Sequence, residues 1–126
     1  MKVSLSRIII FGKNIDLLKA FYTESFNLSV IEETAGEWVV LNAGATEIAL
    51  HKIGEHIDSG NDDFRAESNT KLVFKVNTGL HQLRQQLIDK GVAMKEARSF
   101  PGISSLFCDG EDPEGNVFQL EERSSN

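Results

Sequence analysis

The chain has a single cysteine, Cys108, so no disulfide can close within it, and a reducing compartment suits it. Cys108 reads most simply as a buried, inert strand residue, with a reactive thiol as the alternative. No apolar run approaches the roughly 20 residues that cross a bilayer, and the opening MKVSLSRIIIFGKN is interrupted too soon for a secretory leader. The expectation is a cytoplasmic protein without a membrane partner. Lys and Arg do not cluster and the net charge is −6, which speaks against a nucleic-acid partner and mildly favours a neutral or cationic ligand. A G-x-S-x-G elbow, a phosphate-cradling glycine loop and a Cys with a nearby His are all missing.

What is present is one architectural plan used twice. VSLSRIIIF is a β-rich run, and Asn14 then offers an N-cap to IDLLKAFYTESF, where Leu17, Leu18, Phe21 and Tyr22 form a helical apolar stripe. LSVIEE, EWVVLN and TEIALHKI follow as strands. In the second half TKLVFKV is a strand, Thr78 caps GLHQLRQQLIDK, Gly91 stops that helix from C′, and AMKEAR, ISSLFCD and NVFQLEE are strands. The order β-α-β-β-β thus occurs twice in 126 residues, which predicts an α+β domain over 1–126. Its first module covers about 1–54, an acidic linker containing His56 about 55–68, and the second module about 69–126. Each half alone has a sheet with one face under its helix and the other bare. Pairing the modules, within a chain or between two chains, curls the bare faces around a central cleft.

Near the C-terminus, Asp112-Pro113-Glu114-Gly115 has the residues of a type I turn and feeds a strand on which Val117, Gln119 and Glu121 share one face. The same alternation puts Arg7, Ile9, Phe11, Glu47, Ala49, His51, Lys71 and Val73 on the bare faces. Ile8, Ile10, Ile48, Leu50, Leu72, Phe74, Val76, Phe118 and Leu120 fall beneath the helices. Trp38 shares its face with Val40 and Asn42, and either stacks on a ligand or braces the sheet. Phe100, in a loop before Pro101, leans over the cleft mouth or simply packs.

RIIIFGKNIDLLKAFY, KLVFKVNTGLHQLRQQLIDKGV and EDPEGNVFQLEE resemble the glyoxalase, bleomycin-resistance and extradiol-dioxygenase superfamily, also called vicinal oxygen chelate proteins. The resemblance covers nearly the whole chain. It implies paired βαβββ modules, usually in homodimers, and, in the enzymes, a divalent metal held from the first and last strands of each half. Those places fall on Arg7, Ala49, Lys71 and Gln119: two cations, a methyl group and a neutral amide. The expectation is therefore no metal and no cofactor. A displaced site using His51 and Glu121 lacks a third ligand, since the matching places are Ile9 and Val73.

Two readings follow. The first is a metal-free protein that sequesters a small organic molecule, planar or cationic in kind, through Arg7, Trp38, Glu47, His51, Lys71, Gln119 and Glu121. The second is a glyoxalase-like lyase, isomerase or dioxygenase with unorthodox metal ligands, or with acid–base catalysis by His51 and Glu121. Two plainer outcomes stand beside them: the charged groups pair with one another and fill the space, Arg7 with Glu47 or Glu121, or the chain is a scaffold for a partner protein.

Overall fold

Asn14 begins the first helix as its sequence predicts, with an extended backbone and its side-chain oxygen accepting from Leu17 N at 3.0 Å. The computed structural model describes residues 1–54 and 65–123. Most of the predicted acidic linker, His56 included, lies outside them. The chain divides into two units, Met1–Phe64 and Arg65–Asn126.

In the first unit, β1 (Arg7–Gly12), α1 (Ile15–Phe26), β2 (Ser29–Thr34), β3 (Trp38–Asn42) and β4 (Glu47–Lys52) follow in order, and the sheet runs β1-β4-β3-β2. β1 and β4 are parallel, with Arg7 opposite Glu47 and Ile9 opposite Ala49, and the other pairs are antiparallel. The buried stripe of α1 is Ile15, Leu18, Phe21 and Tyr22. Leu17, expected in that stripe, is half exposed. At 100° per residue it lies about 130° round the helix from the centre of the face that Ile15, Leu18 and Tyr22 share. Asn27 ends the helix in the left-handed conformation.

The second unit repeats the plan with β5 (Leu72–Lys75), α2 (Leu80–Asp89), β6 (Arg98–Ser99), β7 (Ser105–Glu111) and β8 (Val117–Arg123), in the order β5-β8-β7-β6. β5 and β8 are parallel, with Val73 opposite Gln119, the counterpart of Ile9 opposite Ala49. Gly91 stops α2 as expected: its N–H reaches Ile88 O at 2.9 Å and Val92 N reaches Leu87 O at 2.9 Å, the two bonds of a Schellman ending.

Two sequence expectations fail in this unit. Thr78 does not cap α2. The N-cap is Gly79 at φ +86°, and the acceptor comes from β8, where Glu122 Oε1 takes the Leu80 N–H at 2.8 Å. A carboxylate at a helix N-terminus satisfies a free N–H and suits the helix dipole. Glu122→Ala should therefore cost about 1 kcal/mol, the usual worth of a cap, read as a lower urea midpoint at unchanged slope. The strand expected over Ala93–Arg98 is also broken. Met94 bridges Gly110, whereas Arg98 pairs with Phe107, so four steps on one side match three on the other. That extra residue is a bulge between Lys95 and Arg98.

The turn before β8 is built as its sequence predicts. Gly115 N reaches Asp112 O at 3.0 Å with Gly115 at φ +85°, and Asp112 Oδ1 accepts from both Glu114 N and Asn116 N. Asp112 N to Asn116 O then closes the β7–β8 hairpin at 2.9 Å.

Candidate functional site

On the open face of the first sheet the long side chains lean on one another. Arg7 Nε and Nη2 reach Glu47 Oε1 at 3.0 and 2.9 Å, and the guanidinium carbon lies 5.4 Å from the Trp38 ring centroid. Trp38 Nε1 donates to Glu32 Oε2 at 2.7 Å. His51 opposes Trp38 in the ladder and meets it edge-on at 5.5 Å, with Phe11 at 5.3 Å on a second side. Alternation thus places Trp38 on the face it shares with Arg7, Glu47 and His51. The Arg7 pair is about one-third exposed on both sides, so it contributes only about 0.2–1 kcal/mol. Its stronger effect is to fix where the guanidinium stands.

On the open face of the second sheet the centre is a residue that the sequence reading did not select. Asp109, on β7, sits opposite Gln119 of β8. Its Oδ2 takes Lys71 Nζ at 3.0 Å and its Oδ1 takes Gln119 Nε2 at 3.0 Å. Lys71 and Gln119 are therefore joined through one carboxylate. Burial pushes the Asp109 carboxyl up, but hydrogen bonds from Lys71 and Gln119, with the charges of Lys71 and Lys95, outweigh it and hold the group below the usual aspartate range. Glu121, the expected partner for a cation, is instead held by Ser105 Oγ at 2.8 Å, with Arg123 Nε at 3.9 Å. His51 and Glu121 belong to different units.

A depressed aspartate stabilises the fold above its unfolded pKa of about 3.9, and that contribution is lost as pH falls through the lower folded value. Asp109→Asn should thus leave neutral-pH stability within about 1 kcal/mol, since the pair is partly exposed. Below about pH 4 the gap between variant and parent should shrink. Urea midpoints at pH 3 and pH 7 check this.

Beside Asp109 the second unit has a cavity of about 190 Å³, walled by Lys71, Lys95, Arg98, Phe100, Phe107 and Gln119 among others. Phe100 lines this cavity and packs on Phe107 at 5.7 Å between centroids. Cys108 also lines this cavity, 1% exposed, with its thiol donating to Lys95 O at 3.1 Å. Burial pushes its pKa up, against the lowering influence of Arg84, so the thiol stays protonated at neutral pH. Cys108 should react with a thiol reagent only on unfolding, as a stopped-flow comparison in buffer and in denaturant would show. A wider depression of about 640 Å³ lies over Thr78, Ile103, Ser105 and Glu122. It includes none of the predicted site residues, and its Glu122 carboxylate is occupied as the α2 cap.

The donor set does not fit the superfamily's divalent metal. Arg7 and Lys71 are cations already tied to Glu47 and Asp109, fully buried Ala49 has no donor atom, and the Gln119 amide nitrogen faces Asp109. Among the described residues no three His, Cys, Asp or Glu side chains are grouped to hold an ion.

No family model matches the chain, and no curated protein matches it. Solved structures do. The fosfomycin resistance protein FosX from Listeria monocytogenes aligns with a TM-score of 0.78 at 17% identity, over 99% of this chain and 97% of that one. The lactoylglutathione lyase from Agrobacterium tumefaciens aligns at 0.70 and 17% identity, over 96% and 94%. An integron cassette protein from the V. cholerae mobile metagenome aligns at 0.73 and 23% identity, over 98% of both chains. The chain thus has the same fold as these solved structures. No helix among the described residues is long and apolar enough to cross a membrane.

Proposed function

We propose that this protein binds a small organic molecule on its open sheet faces without using a divalent metal. The observation that carries this reading is the state of the two cations at the metal places: Arg7 is paired with Glu47, and Lys71 with Asp109. At either place an incoming dication would meet a like charge and would have to break an ion pair before gaining a ligand. A planar organic guest needs neither step. Trp38, Arg7, Glu47 and His51 offer it an aromatic and polar surface in the first unit, and Lys71, Gln119 and Phe107 offer another in the second.

The role that follows is capture rather than turnover, in a cytoplasmic homodimer. Exposed Ile9, Phe11 and Val73 give apolar surface for a guest or a second copy. Sedimentation should return twice the chain mass of 14.0 kDa. The functional test is a thermal-shift screen of single-ring and two-ring organic compounds in the presence of EDTA. A ligand at 100 times its Kd adds about 2.7 kcal/mol, or several degrees in Tm. Shifts that survive EDTA are expected; shifts that appear only with added metal would reverse the reading.

A further inference from the structure

The cavity of the second unit has a chemical preference of its own. Its wall contains three cations, Lys71, Lys95 and Arg98, against two carboxylates, Asp109 and Glu96. Lys71 and Asp109 offset each other as an ion pair, which leaves Lys95 and Arg98 against Glu96, and both Asp109 oxygens are already engaged by Lys71 and Gln119. Lys71 keeps further N–H donors beyond the one it gives Asp109. Neither the Lys95 ammonium nor the Arg98 guanidinium makes a hydrogen bond or ion pair among the described residues. The bulge between Lys95 and Arg98 is what brings both of them to one cavity, since an unbroken strand would alternate its side chains regularly. Phe100 and Phe107 supply an apolar wall on the same side. At about 190 Å³ the space is below the ~300 Å³ where drug-sized pockets begin. It suits a compound with one ring.

We propose that this cavity takes a small aromatic carboxylate, with the ring against Phe100 and Phe107 and the carboxylate on Arg98 and Lys95. The protein's net charge of −6 favours cations in general, yet binding is decided by the groups within a Debye length of roughly 8 Å, and these are mainly positive. A guanidinium without a partner is a fork that two carboxylate oxygens can fill together. The assignment rests on the metal-independent binding reading above and narrows its ligand class.

Calorimetric titration in EDTA with benzoate, benzamide, benzamidinium and acetate tests it. Benzoate should bind at least tenfold more tightly than the neutral amide, the cation or the ring-free acetate, and its affinity should fall with salt. Arg98→Gln should weaken benzoate at least tenfold. Lys75→Gln, which removes a charge from an exposed position of β5 in the same unit, should change it less than twofold; circular dichroism confirms that both variants fold. Equal or tighter binding of benzamide or benzamidinium, indifference to Arg98→Gln, or no benzoate binding at millimolar concentration would each overturn the assignment. The first of these leaves small-molecule binding standing and removes only the anion preference. Stoichiometric metal in the untagged protein before EDTA is added would instead remove the reading beneath it.

Discussion

Phe118→Ala should lower the unfolding free energy by about 3–5 kcal/mol, the usual cost of emptying a buried aromatic site. Phe118 is fully buried on the helix-facing side of β8 and meets Phe74 edge-on, with ring centroids 6.4 Å apart. Two strands flank it, β5 through Phe74 and β7 through Gly110, its ladder partner. The cavity left behind has walls of paired strand backbone, which collapse poorly. Urea denaturation followed by circular dichroism reads the loss, and a change below about 1 kcal/mol would contradict this packing. The next residue, Gln119, is on the opposite face, so the same variant should also disturb the Asp109–Gln119 contact.

Gly110→Ala is the second large effect, with an expected cost of about 1–3 kcal/mol from overpacking. A Cβ at this position would stand 2.6 Å from Phe118 Cζ and would also strike the Met94 side chain. Met94 is flexible and can turn away. Phe118 cannot, because its ring is enclosed on every side. The two positions should therefore be coupled: in a Phe118→Leu background the added methyl group should cost much less than in the parent. A double-mutant cycle measures this directly, and additive costs would show that the two side chains do not share the space.

Local chemistry made much of this fold readable from the residues alone. Asn14, Gly91 and the Asp112–Gly115 turn each act through neighbours within a few positions, and each is built as the sequence indicates. The α2 cap was not readable in that way. Its acceptor, Glu122, is 42 positions from Leu80, and only the docking of β8 against the helix brings it there. Likewise the bulge between Lys95 and Arg98 leaves the hydrophobic pattern of Ala93–Arg98 unchanged while altering which side chains meet.

Asp109 is a different case, because the signal was present. The bond from Asp112 to Asn116 closes the hairpin, and counting back along β7 from there places Asp109 opposite Gln119. The apolar pattern of ISSLFCD marks it as a strand but says nothing of the carboxylate at its end; the register across the hairpin is what brings Asp109 to Lys71 and Gln119. Pairing of Arg7 with Glu47 was one of the two options open in the sequence, and the parallel register of β1 and β4 decides it, since the two residues lie directly opposite. The other option, Glu121, is engaged by Ser105.

The metal content of untagged protein is the most direct measurement. Elemental analysis after purification without a histidine tag, followed by Tm readings with added Mn²⁺, Zn²⁺ and Ni²⁺, should give well below one ion per chain and no rise in Tm. A full equivalent of one metal, with a Tm that falls on chelation and recovers on its return, would contradict the account.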